Sequence, residues 1–173
     1  MTFRRILGID PGSRFMGYGI VEEVSGKVKP VAYNVLSIEK EISFPKKMKC
    51  IFDTVTKLIE DYKPHEMALE TLFFAKNVSS AIKLGQARGA IITAAATQSL
   101  NIYEYSPTQI KQSIVGYGRS SKEQIQKMIG LLLSIDFNKT NIEYDASDAL
   151  AVAVCHLHSN RLNEKLKRIE KQR

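Results

Sequence analysis

The sequence predicts an α/β fold: a mixed five-stranded sheet, three strands antiparallel and then two parallel, with helices on both faces. Three observations point there. Two turn signals, Pro11-Gly12-Ser13 and Ser25-Gly26-Lys27, divide the first 37 residues into three runs rich in β-branched and aromatic residues. From Phe44 onward the apolar residues recur at spacings of three and four. Two further short runs, at 66–70 and 102–105, alternate with helical patterns, the order expected of strand–helix–strand crossovers.

The elements follow in order. Residues 5–10, 15–24 and 28–37 read as strands, and their short connections make them antiparallel neighbours. Phe44 to Tyr62 reads as a helix, with Met48, Ile51, Phe52, Val55, Leu58, Ile59 and Tyr62 on one face and Pro64 ending it. A strand at 66–70 precedes a long helix over roughly 78–99, and Ile102–Tyr105 returns as a strand. Ser106 is an N-cap with Pro107 at the first helical position, opening a helix that stops at Gly116. Ser120-x-x-Glu123 fits a capping box for the next helix, to about Leu133. The last helix begins near Asp145. This is one domain over residues 1–158, followed by a basic tail, 159–173, either helical or disordered.

Composition limits the function classes. A chain of 173 residues that is 44% hydrophobic and 25% charged can bury a proper core, which excludes a mainly disordered protein. Cys50 and Cys155 lack any metal-ligand spacing and read as free thiols of a reducing compartment. No signal peptide or membrane-length apolar stretch stands out, so a soluble, cytoplasmic protein is expected. The net charge of +7 is unevenly placed. Residues 76–127 carry Lys76, Lys83, Arg88, Lys111, Arg119, Lys122 and Lys127 against only Glu104 and Glu123. The segment after them, with Asp136, Glu143, Asp145 and Asp148 against Lys139, is negative. A positive middle beside an acidic segment suits a surface that processes a polyanion.

Four acids stand where a carboxylate is unwelcome. Asp10 ends the apolar run Ile6–Ile9, Glu70 ends Met67-Ala68-Leu69, and Asp145 and Asp148 open the apolar stretch Ala149–Val154. Carboxylates gathered at the edge of a core repel one another and lose solvation unless a cation joins them. Asp10 and Glu70 can end adjacent strands, and Asp145 and Asp148, at i and i+3, share a helix face. Oxygen-only donors point to a hard divalent ion, Mg²⁺ or Mn²⁺. Two such ions would suit phosphodiester hydrolysis, with Asp10 shared, Glu70 on one ion and Asp145 with Asp148 on the other.

The runs Gly8-Ile9-Asp10-Pro11-Gly12, Glu70 to Asn77, Leu84 to Gly89, Lys111 to Gly116 and Asp145-Ala-Ser-Asp148-Ala-Leu-Ala resemble the RuvC family, bacterial Holliday-junction resolvases of ribonuclease-H-like fold. The resemblance is collinear from about residue 4 to about residue 158. It implies a homodimeric, Mg²⁺-dependent endonuclease that nicks two opposed strands of a four-way junction, working with a RuvA-type junction-binding protein and a RuvB-type branch-migration motor. It places Lys111 and Lys122 near the scissile phosphate. Some members of the family carry histidine at the first acid of the last pair; Asp145 keeps the all-carboxylate form.

Further DNA contacts are expected around this site. Phe73 reads as an aromatic that stacks on unpaired bases, with Phe74 as its alternative. Lys76, Asn77, Ser80, Lys83 and Arg88 read as backbone contacts, and Tyr117, between two glycines and followed by Arg119, as a further loop contact. His156 and His158 suggest capping or exposed residues, and His65 a surface turn. Ala81, Gly85 and Gly89 form a small-residue stripe that fits packing on the sheet as well as a dimer contact. Two rival readings remain open. Asp-Pro-Gly-Ser after a strand also resembles the first phosphate loop of actin-like kinases and ATPases, although one domain and no second glycine-rich loop fit those poorly. A non-catalytic scaffold would have no need of all four acids.

Overall fold

The computed structural model describes residues 3–38, 42–71, 78–137 and 144–170. Strands β1 (Phe3–Asp10), β2 (Phe15–Val24) and β3 (Lys27–Ser37) form an antiparallel meander. Helix α1 (Phe44–Tyr62) then leads to β4 (Glu66–Glu70), and α2 (Val78–Thr97) to β5 (Asn101–Tyr105). Helices α3 (Pro107–Val115), α4 (Lys122–Leu133) and α5 (Tyr144–Glu170) complete the chain. The sheet order is β3-β2-β1-β4-β5, with β4 parallel to both β1 and β5. The expected mixed sheet is therefore the observed one. Among the described residues no helix is long and apolar enough to cross a membrane.

Strand alternation divides the core in two. Leu7 and Ile9 of β1, with Met67 and Leu69 of β4, pack against Ile51, Val55, Ile91 and Ala94 of α1 and α2. Ile6 and Ala68 face the other way, onto α3, α4 and α5. By the same alternation Gly8, Asp10, Glu66 and Glu70 belong to the α5 side. The central strand β1 is buried on both faces, which explains its unbroken run Ile6–Ile9.

Helix α5 lies against the sheet closely enough to touch backbone. A Cβ on Gly8 would stand 2.2 Å from the Ala149 carbonyl oxygen, and one on Gly17 only 1.9 Å from that of Asp145. One on Gly19 would stand 2.8 Å from Leu150. Gly8 pairs with Gly19 and Asp10 with Gly17 across β1 and β2, so these glycines form one smooth track. The alanines at 146, 149, 151 and 153, all fully buried, are small enough to lie near it. This close seating sets the first turn of α5 beside the end of β1.

The helix ends mostly follow the expected chemistry. Lys63, in the left-handed region at φ 47°, closes α1 by donating to Ile59 one residue before Pro64. Ser106 and Gln109 make a reciprocal capping box on α3, and Gly116, at φ 85°, ends it. The box on α4 is shifted by one residue from the expectation. Ser121 and Gln124 form it, not Ser120 and Glu123. Both pairs satisfy the pattern, but Ser120 is 2% exposed and its carbonyl accepts from Lys111 Nζ at 2.8 Å, so Ser121 takes the cap.

The histidines also differ from the expectation. His156 neither caps a helix nor meets solvent: it is fully buried, 2.8 Å from Glu66 Oε2 through Nε2 and 2.7 Å from the Tyr105 hydroxyl through Nδ1. A carboxylate only accepts, so Nε2 carries the proton and Nδ1 accepts from Tyr105. Burial keeps the ring's pKa below the usual histidine value. His158 is half-buried beside Ser113, and His65 is exposed, as expected. Helix α5 runs past residue 158 without a break. Asn160 donates to Glu66 at 3.1 Å, Arg161 pairs with buried Glu23 at 2.5 Å, and Glu164 pairs with Arg4.

Candidate metal centre and nucleic-acid cleft

Three of the four acids meet. Asp10, Asp145 and Asp148 each place a carboxylate oxygen within 4.8 Å of the other two. β1 delivers Asp10 at its end, and α5 delivers the other two from one face of its first turns, where the helix dipole favours acids. Glu70 stands at the end of the neighbouring strand β4, outside that triple but inside the same cleft. Lys111 and Lys122 line this cleft with Pro107, Ile110, Ile125, Asp148 and Ala151.

The electrostatics are those of a site that wants a cation. Burial, then Glu70, Asp148 and Asp145, push the Asp10 carboxyl well above the usual carboxylate range, and Lys122 offsets only part of this. Burial and Asp148 raise Glu70 from 4.5 to about 6, against the pull of Lys122 and Lys111. Lys122 Nζ sits 2.8 Å from Asp148 Oδ2, and that hydrogen bond raises its own pKa. The donor set is oxygen throughout and anionic, which fits a hard divalent ion.

A profile described as "Crossover junction endodeoxyribonuclease RuvC" matches residues 6–156. The chain belongs to the RuvC family. It is 49% identical over 158 residues to the crossover junction endodeoxyribonuclease RuvC of Pelobacter propionicus, covering 91% of this chain and 88% of that one. Its structure matches Thermus thermophilus RuvC in complex with Holliday junction substrate at a TM-score of 0.86 and 28% identity, over 92% of this chain and 96% of the other. The yeast mitochondrial Holliday junction resolvase matches at 0.77 over 98% of this chain and 84% of that one; at 17% identity it shows the fold alone. The ribonuclease-H-like architecture expected of a RuvC chain is thus present, and so is an acidic cluster suited to a divalent metal.

The other expected contacts divide into four groups. Lys111 and Lys122 stand in the RuvC cleft beside the acids. Ser80, Lys83 and Arg119 are exposed, as is Tyr117 at 49%. Phe73, Phe74, Lys76 and Asn77 lie outside the described residues. Arg88 departs from expectation, because its guanidinium turns into the fold, toward Glu70 and Glu104. Two roles are not expected from the sequence. Gly17 and Gly19 set the position of α5, and Gly-x-Gly inside a strand is the signal that marks them. Ser120 orients Lys111 through its carbonyl, for which no sequence signal exists.

The carboxyl shifts carry a pH prediction. A carboxyl whose pKa rises on folding stabilises the native state most below its unfolded value, and loses that contribution as pH climbs through the folded one. Metal-free protein is therefore expected to lose stability between pH 4.5 and about 6 through Glu70. Glu70→Gln removes that slope. At pH 7.5 the metal-free variant should melt a few degrees above the parent, an effect of at most about 2 kcal/mol before solvent screening is discounted. Calorimetry in chelator checks it; a variant melting below the parent there would contradict the assigned repulsion.

Proposed function

We propose that this chain is a metal-dependent endonuclease that resolves four-way DNA junctions by paired symmetric nicks during recombination and repair. The observation that carries the reading is the triple of Asp10, Asp145 and Asp148 within 4.8 Å, with Glu70 and two lysines in one cleft. Asp10 would be shared between two Mg²⁺ ions, Glu70 completing one site and Asp145 with Asp148 the other, with Mn²⁺ able to substitute. When bound, the ions would supply an activated water and neutralise charge growing on the phosphate.

The chain's own groups do the rest. Lys111, held by the Ser120 carbonyl at 2.8 Å, keeps further N–H groups for non-bridging phosphate oxygens. Lys122 lends its charge to Asp148 and to the same phosphate. Both put fixed positive charge where negative charge develops, and the apolar wall of Pro107, Ile110, Ile125 and Ala151 strengthens it by excluding water. Around the cleft, Phe73 would stack on unpaired bases, with Phe74 or Tyr117 as alternates. Lys76, Asn77, Ser80, Lys83 and Arg119 would hold the backbone.

A homodimer matches the two-fold symmetry of such a substrate. One face of α2 supports it. Val78 and Ile82 are 73% and 56% exposed, and a Cβ on Gly85 or Gly89 would meet nothing within 4 Å, so the glycine stripe does not serve packing on the sheet. Ile82→Glu is expected to yield monomers in analytical ultracentrifugation and to leave junctions nicked on one strand. A dimer with paired nicks would place the interface elsewhere. The cytoplasm as the site of action, with RuvA-type and RuvB-type partners, completes the proposal. Mapped cleavage of a synthetic junction with Mg²⁺ tests the whole. ATP binding without cleavage would instead favour the kinase-like reading, and junction binding without cleavage a scaffold.

A further inference from the structure

Arg88 belongs to α2, yet its guanidinium ends at the last residue of β4. Nη1 donates to the Glu70 carbonyl oxygen at 2.6 Å, and Nη2 pairs with Glu104 Oε1 at 2.5 Å. The arginine side chain keeps only 12% of its exposure, while that of Glu104 keeps 49%. The β1–β4 ladder stops at Ile9 and Leu69, so Glu70 stands one residue past it and is paired on its β5 side alone, with Tyr105, whose carbonyl also accepts from the Thr71 amide. Glu104 lies opposite Leu69 on β5. A single planar group thus ties α2, β4 and β5 together behind the residue that carries the Glu70 carboxylate.

That residue needs holding. The Glu70 carboxylate faces Asp148 and has lost much of its water, so a loose strand end would relieve both by swinging outward. A guanidinium suits the task because it is permanently charged and presents donors in a fixed fork, one arm for the carbonyl and one for Glu104.

We propose that Arg88, oriented by Glu104, is a positioning residue that fixes the Glu70 backbone and so the place of its carboxylate relative to Asp10 and Asp148. This rests on the metal-centre reading of those acids. Three variants test it: Arg88→Met, Arg88→Lys and Glu104→Gln. For each, the Mn²⁺ concentration at half-maximal thermal shift is measured without DNA, together with the Mg²⁺ half-saturation of cleavage at saturating junction. Junction affinity is also followed against salt with Ca²⁺ replacing Mg²⁺. Arg88→Met is expected to raise both metal midpoints by about 10- to 100-fold, as loss of groups that orient metal ligands does, with the salt slope unchanged. Arg88→Lys, which keeps the charge but lacks the fixed fork, should fall between, and Glu104→Gln should shift less in the same direction. Adding Glu104→Gln to Arg88→Met should change nothing further, because the two act as one unit.

A salt slope smaller by about one with unmoved metal midpoints would put Arg88 on a phosphate and overturn the proposal. A lowered melting temperature with unmoved midpoints would make it a plain fold anchor and overturn it equally. Should Arg88→Met fail to fold, unmoved midpoints in both milder variants would do the same. If the parent protein fails to nick junctions, the nuclease reading falls, while the Mn²⁺ midpoints still decide the role of Arg88.

Discussion

Asp10→Asn is expected to slow junction cleavage by at least about 10³-fold, with junction affinity near the parent's. Loss of a central ligand charge removes several kcal/mol of transition-state stabilisation, and each 1.36 kcal/mol is a factor of ten. Asp148→Asn and Glu70→Gln should be comparably inactive. Asp145→Asn belongs with them, since its carboxylate lies in the same triple as Asp10 and Asp148. The fold should not suffer. Asp10 is held well above its ordinary pKa by burial and three other acids, so the neutral amide relieves strain in the metal-free state. Mg²⁺ should raise the melting temperature of the parent and do so far less for the variant. Two acid variants with near-parental rates at saturating Mg²⁺ would sink the shared centre.

Gly17→Ala is expected to damage cleavage almost as much without touching a charged group. Its Cβ would stand 1.9 Å from the Asp145 carbonyl oxygen, 2.4 Å from the carbonyl carbon and 3.2 Å from the Ala146 nitrogen. All three are backbone atoms, so no rotamer change gives relief; the first turn of α5 must retreat by more than about 1 Å. A displacement of that size costs about 10²-fold in rate, and the overpacking about 1–3 kcal/mol in stability. Weakened Mn²⁺ binding in a protein that still melts cooperatively is the diagnostic pair. Gly19→Ala is a useful contrast, since the nearest atoms there are the Leu150 side chain, together with its amide nitrogen. A Gly17→Ala protein cleaving at the parental rate would show that α5 is not seated as described.

The legibility of this fold in its sequence varied with the range of the interaction. α1 was readable to the residue, because its apolar spacing and Pro64 are local signals. The meeting of Asp10, Asp145 and Asp148 was legible because each stands at the edge of an apolar run. The capping box on α4 was misplaced by one residue, since Ser120 and Ser121 offer equal local patterns and only a contact with Lys111 separates them. His156 was misread for the same reason. Its partners Glu66 and Tyr105 are on two strands, and nothing within a few residues announces them. Arg88 is one more cation in a basic segment by sequence, and only its contacts with the Glu70 carbonyl and Glu104, 18 and 16 residues away, set it apart.

The seating of α5 has a consequence for how the protein comes to exist. Its contacts join the far ends of the chain: Arg4 to Glu164 across 160 residues, Glu23 to Arg161 across 138. A chain emerging from the ribosome presents β1 and β2 early and α5 last among the described elements. Until then Ile6, Val21 and Ala68 have no cover from that helix, and Asp10 has neither Asp145 nor Asp148 beside it. Such distant closures are slow, and they leave an apolar sheet face open to aggregation meanwhile. The same delay postpones the carboxylate triple itself, because Asp145 and Asp148 reach Asp10 only when that helix covers the sheet face.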